Sequence, residues 1–511
     1  MTMMLCHRNS LVRTLLTIAT ISLSSLNSAL ADVQLPNVFS DSMVLQRDQK
    51  NRVWGRAEAG EKVTVSIAKQ SHQATADADG NWHVMLSPMS VGKPLELKVQ
   101  GNNEVTFSDV LVGEVWICSG QSNMAMTVNS SNAADLERAA ANFPQIRMIN
   151  FPRVGTQEAV WTHEGSSWMV CSPETVGQFS AVGYFFGRQL YESIDVPIGL
   201  INNAWGGSAC EAWVNRDLLK ADPAYAPMLE RWAATQTSAD ALAAKPSLND
   251  AEKKQLANLK RRLSGNQNPS NIYNGVLKSH LGYGIRGAIW YQGESNAGRA
   301  YQYRHLFPLM ISNWREEWGQ GDFPFYWVQL ADFRNEVPEP GDSSWAELRE
   351  AQTMTMDKLA NTGEAVIIDT GEGYDIHPKN KQTVGRRLAR WALAKDYGID
   401  IAHQSPRFKS MEKSSGAITL TFAHVAGGWR PFDVREPRGF AIAGEDKKFV
   451  WAQAKILKDG RIEVSSPQVS DPASVRYGWA ENPVLNMFNN ASLPLTPFRT
   501  DDWPGITIDA K

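Results

Sequence analysis

Apolar and polar positions change rhythm twice along the chain. Near the start, Val63, Val65 and Ile67 alternate with Lys62, Thr64 and Ser66, and Leu95, Leu97 and Val99 repeat the pattern. Period-two alternation broken by Ala59-Gly60 and Asp79-Gly80-Asn81 predicts short antiparallel strands, hence a β-sandwich over 32–108. From 109 to 400, apolar strand-like runs at 115–118, 198–201, 288–291, 325–330 and 365–368 are separated by helix-length segments such as 182–192, 301–318, 345–359 and 381–397. Strand–helix alternation predicts parallel strands with right-handed crossovers, an α/β layered domain. An Ala-rich and Lys/Arg-rich stretch, 216–265, reads as a helical insertion. Beyond 401 the alternation of Ile418, Leu420 and Phe422 with Ala417, Thr419 and Thr421 returns, predicting a C-terminal β domain over 401–511.

Composition removes several classes of function. The 51 basic and 54 acidic residues leave a net charge of -3, with no extended basic block, so nucleic acid is not an expected partner. Arg8 and Arg13 precede an apolar stretch at 15–23, and Ala29-Leu30-Ala31 supplies a small-x-small pattern before Asp32. This is the layout of a secretory leader over 1–31, with cleavage expected after Ala31 and a secreted or periplasmic product. No later stretch approaches ~18 uninterrupted apolar residues, so no membrane span is expected in the mature chain. Cys118, Cys171 and Cys210 are too few for a disulfide scaffold, leaving one bridge, Cys171 to Cys210, open. No His/Cys/Asp spacing resembles a zinc site, and the expected chemistry uses neither metal nor cofactor.

Four loops follow predicted parallel strands and so gather at one sheet edge, where open α/β sheets bind ligands. They are Ser119-Gly120-Gln121-Ser122-Asn123-Met124, Trp205-Gly206-Gly207-Ser208, Gln292-Gly293-Glu294-Ser295-Asn296 and Asp375-Ile376-His377-Pro378. A serine hydroxyl needs a neighbouring base, and neutral imidazole suits that task near pH 7. The oxyanion then needs fixed donors. Ser122 offers the hydroxyl, the paired glycines offer close backbone N–H groups, Gln292 offers an amide and His377 the base. Ser119 and Ser208 are rival nucleophiles, whereas Cys118 reads as a packing residue. His163, His280 and His305 read as structural.

The blocks Gly120-Gln121-Ser122-Asn123-Met124, Trp205-Gly206-Gly207-Ser208 with Glu211-Ala212-Trp213, Trp290-Tyr291-Gln292-Gly293-Glu294-Ser295 and Asp375-Ile376-His377-Pro378 resemble those of the sialate O-acetylesterase family, a branch of the SGNH hydrolases. The segments 35–46, 477–479 and 497–504 extend the resemblance over nearly the whole mature chain. It implies a flavodoxin-like SGNH three-layer domain between the two β domains. It implies Ser122 as nucleophile, His377 as base, and Ser122, Gly206 or Gly207 and Gln292 as the oxyanion hole. The third catalytic member stays open. The position three before the histidine, where SGNH enzymes commonly carry aspartate, is Tyr374, leaving Asp375, Asp369 or a backbone carbonyl. Gln121, Asn123, Trp205, Trp290 and Glu294 are the expected substrate contacts. The implied reaction is removal of O-acetyl groups from carbohydrate, sialate first and acetylxylan or another polysaccharide second. A carbohydrate-binding surface protein without catalysis is the reading from another class.

Overall fold

The computed structural model describes residues 32–511, so the expected leader lies outside the described residues. In chain order the first strands are β1 (Val44–Gln46), β2 (Asn51–Arg56), β3 (Lys62–Ile67), β4 (Gln70–Thr75), β5 (Asn81–Leu86), β6 (Leu95–Gln100) and β7 (Glu104–Gly120). β2 pairs with β5, and β3 pairs with both β4 and β6, all antiparallel. Val63, Val65 and Ile67 are buried while their polar neighbours are not, as period-two alternation requires.

β7 is the spine of the molecule. Its first half pairs antiparallel with β6, Leu111 to Gly113 pair parallel with β1, and its last residues pair parallel on both sides with later strands. At roughly 3.3 Å per residue these 17 residues run on the order of 50 Å. The boundary expected at 108/109 therefore falls inside a strand. Ser108 and Asp109 lie at a register shift, with Asp109 at φ 55° and its carboxylate held by Arg147. A bulge, not a linker, produces the polar break in the sequence.

The central sheet adds β8 (Phe143–Asn150), β9 (Met169–Cys171), β10 (Ile198–Asn202), β11 (Gly287–Tyr291), β12 (Phe325–Val328) and β13 (Thr362–Ala365), in the order β13-β12-β11-β7-β10-β8-β9. All but the edge strand β9 run parallel. Without β8 and β9 the strands stand in chain order 2-1-3-4-5. The helices used below are α1 (Ser122–Ala125), α2 (Ala181–Ile194), α3 (Ala226–Ala243), α4 (Asp250–Leu263), α5 (Ala300–Trp318), α6 (Ser344–Lys358) and α7 (Lys381–Lys395). Residues of α2 and α7 share one apolar cluster with Trp116 and Cys118 of β7, while residues of α5 and α6 share another with Val115 and Ile117. Successive β7 residues thus feed opposite layers, which is why its stretch 115–118 reads as one apolar run without alternation. α3 and α4 lie in the insertion between β10 and β11, and α4 buries none of its residues. Cys171 and Cys210 belong to different clusters, and Cys118, Cys171 and Cys210 are buried free thiols, so the bridge left open between Cys171 and Cys210 is not formed. Among the described residues no helix is long and apolar enough to cross a membrane.

The C-terminal part comprises two four-stranded antiparallel sheets around Ile418, Leu420, Phe440, Ile442, Val464, Val475 and Tyr477. It is tied to the sheet edge by the buried guanidinium of Arg349, which donates to Leu330 O and Ala331 O of the α/β domain and to Ala480 O and Glu481 O beyond it.

At the other seam, fully buried Glu114 of β7 accepts from Gln46 Nε2 at 3.0 Å, Arg286 Nε at 2.8 Å and Arg47. Burial opposes ionisation, but Arg286, Arg47 and Gln46 offset it and hold the carboxyl below its ordinary value. Removing one member of such a cluster leaves buried charge uncompensated. Glu114→Gln should therefore lower the unfolding free energy by about 3 kcal/mol near neutral pH. Because the folded-state value is depressed, this advantage exists above the ordinary glutamate range and fades as pH falls through the folded value. Denaturant melts of both proteins at a neutral and an acidic pH would check it; equal stabilities at neutral pH would refute it.

Candidate active site

β7 leaves the sheet at Gly120, whose φ of 130° and close approach to the neighbouring strand exclude a side chain: a Cβ there would lie 2.2 Å from Tyr291 O. Gln121 N–H donates to Tyr291 O at 2.8 Å, and the chain turns into α1 with Ser122 at its head, half-buried. The loop after β10 comes alongside. Trp205 N–H donates to Gly120 O at 3.0 Å, and a Cβ on Gly206 would stand 3.4 Å from Ser122 Cβ. Backbone without side chains therefore borders the Ser122 side chain, and Gly207 takes the positive φ that completes the turn.

The rival serines are both buried, unlike Ser122. Ser119 is fully buried within β7. Ser208 is fully buried, donating to Gly120 O at 3.3 Å and accepting from Trp213 Nε1 at 3.1 Å.

His377 sits on the loop between β13 and α7. Its backbone N–H donates to Asp375 Oδ1 at 2.9 Å, and the same oxygen lies 3.5 Å from its Nδ1. Asp369 is occupied by Arg387, which grips both carboxylate oxygens at 2.5 and 2.8 Å. Asp375 is thus the aspartate beside the imidazole. The loop is held to the serine turn by buried Asn123, whose Nδ2 donates to Ile376 O at 3.0 Å and to Glu294 Oε1 at 2.6 Å. Burial pushes the Glu294 carboxyl above its ordinary value against the pull of Asn123, Lys381 and His377.

Several expected contacts take other roles. Gln292 is fully buried: its Nε2 donates to Ser208 O at 3.1 Å and to Asn296 Oδ1 at 2.7 Å, and its Oε1 accepts from Tyr303 OH. Both amide hydrogens are committed, so here Gln292 braces the loops instead of presenting a donor to an oxyanion. Trp290 is fully buried against Trp213 and Trp314 and has no face for a sugar. Buried Gln121 accepts from Gly293 N–H at 3.3 Å. Trp205 remains partly accessible in the loop alongside Ser122, whereas the carboxylate of Glu294 turns inward, with Oε1 on Asn123 and Oε2 buried. Sequence reasoning passed over Asn296, which bonds Cys210 N–H and Glu211, and Lys381, which reaches Asn123. Asn296 ends the polar loop after β11, where its amide is a signal; Lys381 carries none beyond its place at a helix start.

A half-buried serine stands at a parallel-sheet edge, bordered by glycine backbone, with a histidine loop bonded to its turn, an arrangement that suits hydrolytic chemistry. The chain matches the family described as carbohydrate esterase, sialic acid-specific acetylesterase, at residues 112–246 and 263–394. It is 32% identical to a mouse sialate O-acetylesterase over 74% of this chain and 77% of that one, and 30% identical to the human protein over 75% of each. Among solved structures it resembles a carbohydrate acetylesterase from Xanthomonas citri, with TM-score 0.79 and 37% identity over 92% of this chain and 100% of the other. The protein is an esterase of the carbohydrate class. It belongs to the sialic acid-specific acetylesterase family.

The Gln292 bonds yield a discriminating prediction. Gln292→Leu should lower the unfolding free energy by about 2 kcal/mol, because Ser208 O and Asn296 Oδ1 lose a buried donor. Urea unfolding read beside kcat decides it: unchanged stability with a rate loss on the order of 10²–10³ would restore Gln292 as an oxyanion donor.

Proposed function

We propose that the protein removes O-acetyl groups from carbohydrate through an acetyl-serine intermediate on an SGNH-type three-layer domain. The 2-1-3-4-5 strand order and the apolar clusters on both sheet faces support that architecture, which is flavodoxin-like with β8 and β9 added at one edge. Ser122 Oγ attacks the acetyl carbonyl as His377 takes its proton. The oxyanion rests on the N–H groups of Ser122 and of Gly206 or Gly207. Collapse breaks the ester C–O bond, and His377 returns the proton to the departing sugar oxygen. Water, deprotonated by His377, then attacks acetyl-Ser122, and acetate leaves as the proton passes back to Ser122 Oγ. Asp375, beside Nδ1, is placed to orient the imidazole and to stabilise its charged form. The observation that carries this reading is the approach of Gly206 to Ser122, while Asn123 bonds the histidine loop to the same turn.

Sialate is the first substrate reading, supported by the mammalian relatives named sialate O-acetylesterase. Acetylxylan or another acetylated polysaccharide is the second, compatible with the Xanthomonas citri protein, which is named a carbohydrate acetylesterase with no sugar specified and whose whole length this chain matches. Acetate release from O-acetylated sialic acid, acetylxylan and an acetylated aryl ester separates them. Ser122→Ala should reduce every measurable rate by a factor on the order of 10³ or more, with the fold intact. Wild-type turnover in that variant, or an acetyl group trapped on another serine in a mass spectrum, would overturn the assignment.

A further inference from the structure

Beneath the nucleophile turn lies a buried charged cluster that the acyl-transfer steps do not use. Lys381 opens α7 and is fully buried; its Nζ donates to Asn123 Oδ1 at 2.6 Å and stands 5.1 Å from the Tyr291 ring centroid. Asn123 spends its other end on Glu294 Oε1 and Ile376 O. Glu294 Oε2, out of contact with solvent, has no hydrogen-bond partner among the described residues. Three carboxylates act on Lys381 through space, Glu294 from the loop after β11 and Glu372 and Asp375 from the histidine loop. Burial nevertheless brings its ammonium down to about 7.

The chemistry of the amide shows what the lysine does. An ammonium only donates, so Asn123 must turn its oxygen toward Lys381. That leaves both amide hydrogens for Glu294 and Ile376 O, which only accept. With an apolar side chain at 381 the amide loses the partner that fixes this orientation. Glu294 also loses an ammonium that acts on it through space and favours its charged form.

We infer that Lys381 is a positioning residue of this esterase: through Asn123 it holds the His377 loop and the loop after β11 against the Ser122 turn. The cluster thereby links three loops, the serine turn, the loop after β11 and the histidine loop, from below. The inference rests on Ser122 and His377 being the working pair.

The test compares wild type, Lys381→Met and the doubly substituted Lys381→Met/Glu294→Gln protein. An acetylated aryl ester is the substrate, with kcat and KM measured beside thermal melting. Lys381→Met should lower kcat roughly tenfold to a hundredfold with KM changed by less than about twofold, because the loss falls on orientation in the chemical step. The doubly substituted protein has no unpaired buried charge. It should melt closer to wild type than the single variant does, yet stay slow at unchanged KM. A lysine serving only the fold predicts the opposite: kcat returns to wild type once stability does, and that result overturns the inference. If the single variant does not accumulate folded, the double variant decides alone by kcat against KM. Retained wild-type turnover in Ser122→Ala would instead sink the catalytic reading, whatever the lysine variants do.

Discussion

The active edge depends on one peptide, the bond between Gly120 and Gln121. Its carbonyl accepts Trp205 N–H and the Ser208 hydroxyl, while its N–H reaches Tyr291 O. Three loops are thereby fixed to one another by main-chain groups before any catalytic side chain is considered. Because the crossing has no room for a Cβ, the backbone of Gly206 and that of Ser122 stand at a separation that no rotamer change can widen. Main-chain donors held by a parallel sheet suit an oxyanion hole, since they need no reorganisation as charge develops. The same strand reaches back across the whole N-terminal part, so the nucleophile turn is the end of a long, doubly paired element.

Around this crossing, side-chain amides tie the loop tips together. Gln121 holds the loop after β11, Asn123 the histidine loop, Gln292 the glycine loop, and Asn296 the segment that follows it. An amide carries donors and an acceptor on one rigid plane, so it can join two loops that each present a mixture of N–H and C=O. Charged groups do the corresponding work at the seams between parts of the molecule. Glu114 gathers two arginines where the N-terminal strands meet the sheet, and Arg349 spans four carbonyls where the C-terminal sheets dock. Burial lowers the Arg349 guanidinium from its ordinary value. Such groups are tolerated because hydrogen bonds replace their hydration.

What was legible in the sequence follows from what pattern encodes. Alternation at Val63, Val65 and Ile67 reports a face because one side of that sheet is wetter than the other. Loops after apolar runs report an edge, and Ser122 and His377 do lie on loops joined by hydrogen bonds there. A strand buried on both sides carries no phase. Nothing in Trp290 or Gln292 told whether either faced the groove or the core, and both are fully buried. Cys171 and Cys210 are 39 residues apart in the chain yet lie in clusters on opposite faces of the sheet, a relation that depends on topology and leaves no trace in spacing. Lys381 was hidden for the converse reason. A lysine at a helix start normally reads as a solvated charge, and only the packing of α7 against the nucleophile turn buries it.

That packing bears on how the fold holds a base on a loop. His377 has no strand beneath it, and its aspartate neighbour is as open to water as the imidazole itself. A loop so placed would explore several positions unless something fixed its main chain. Asn123 supplies that by taking the carbonyl of Ile376, one residue before the histidine. The constraint thus acts on the backbone, while Asp375 beside Nδ1 is placed to orient the ring. In the proposed mechanism the base passes a proton in both directions through one ring nitrogen, which calls for an oriented ring and not a mobile one. Asn123 therefore sets the main chain and the ring faces Asp375, two separate partners for one residue.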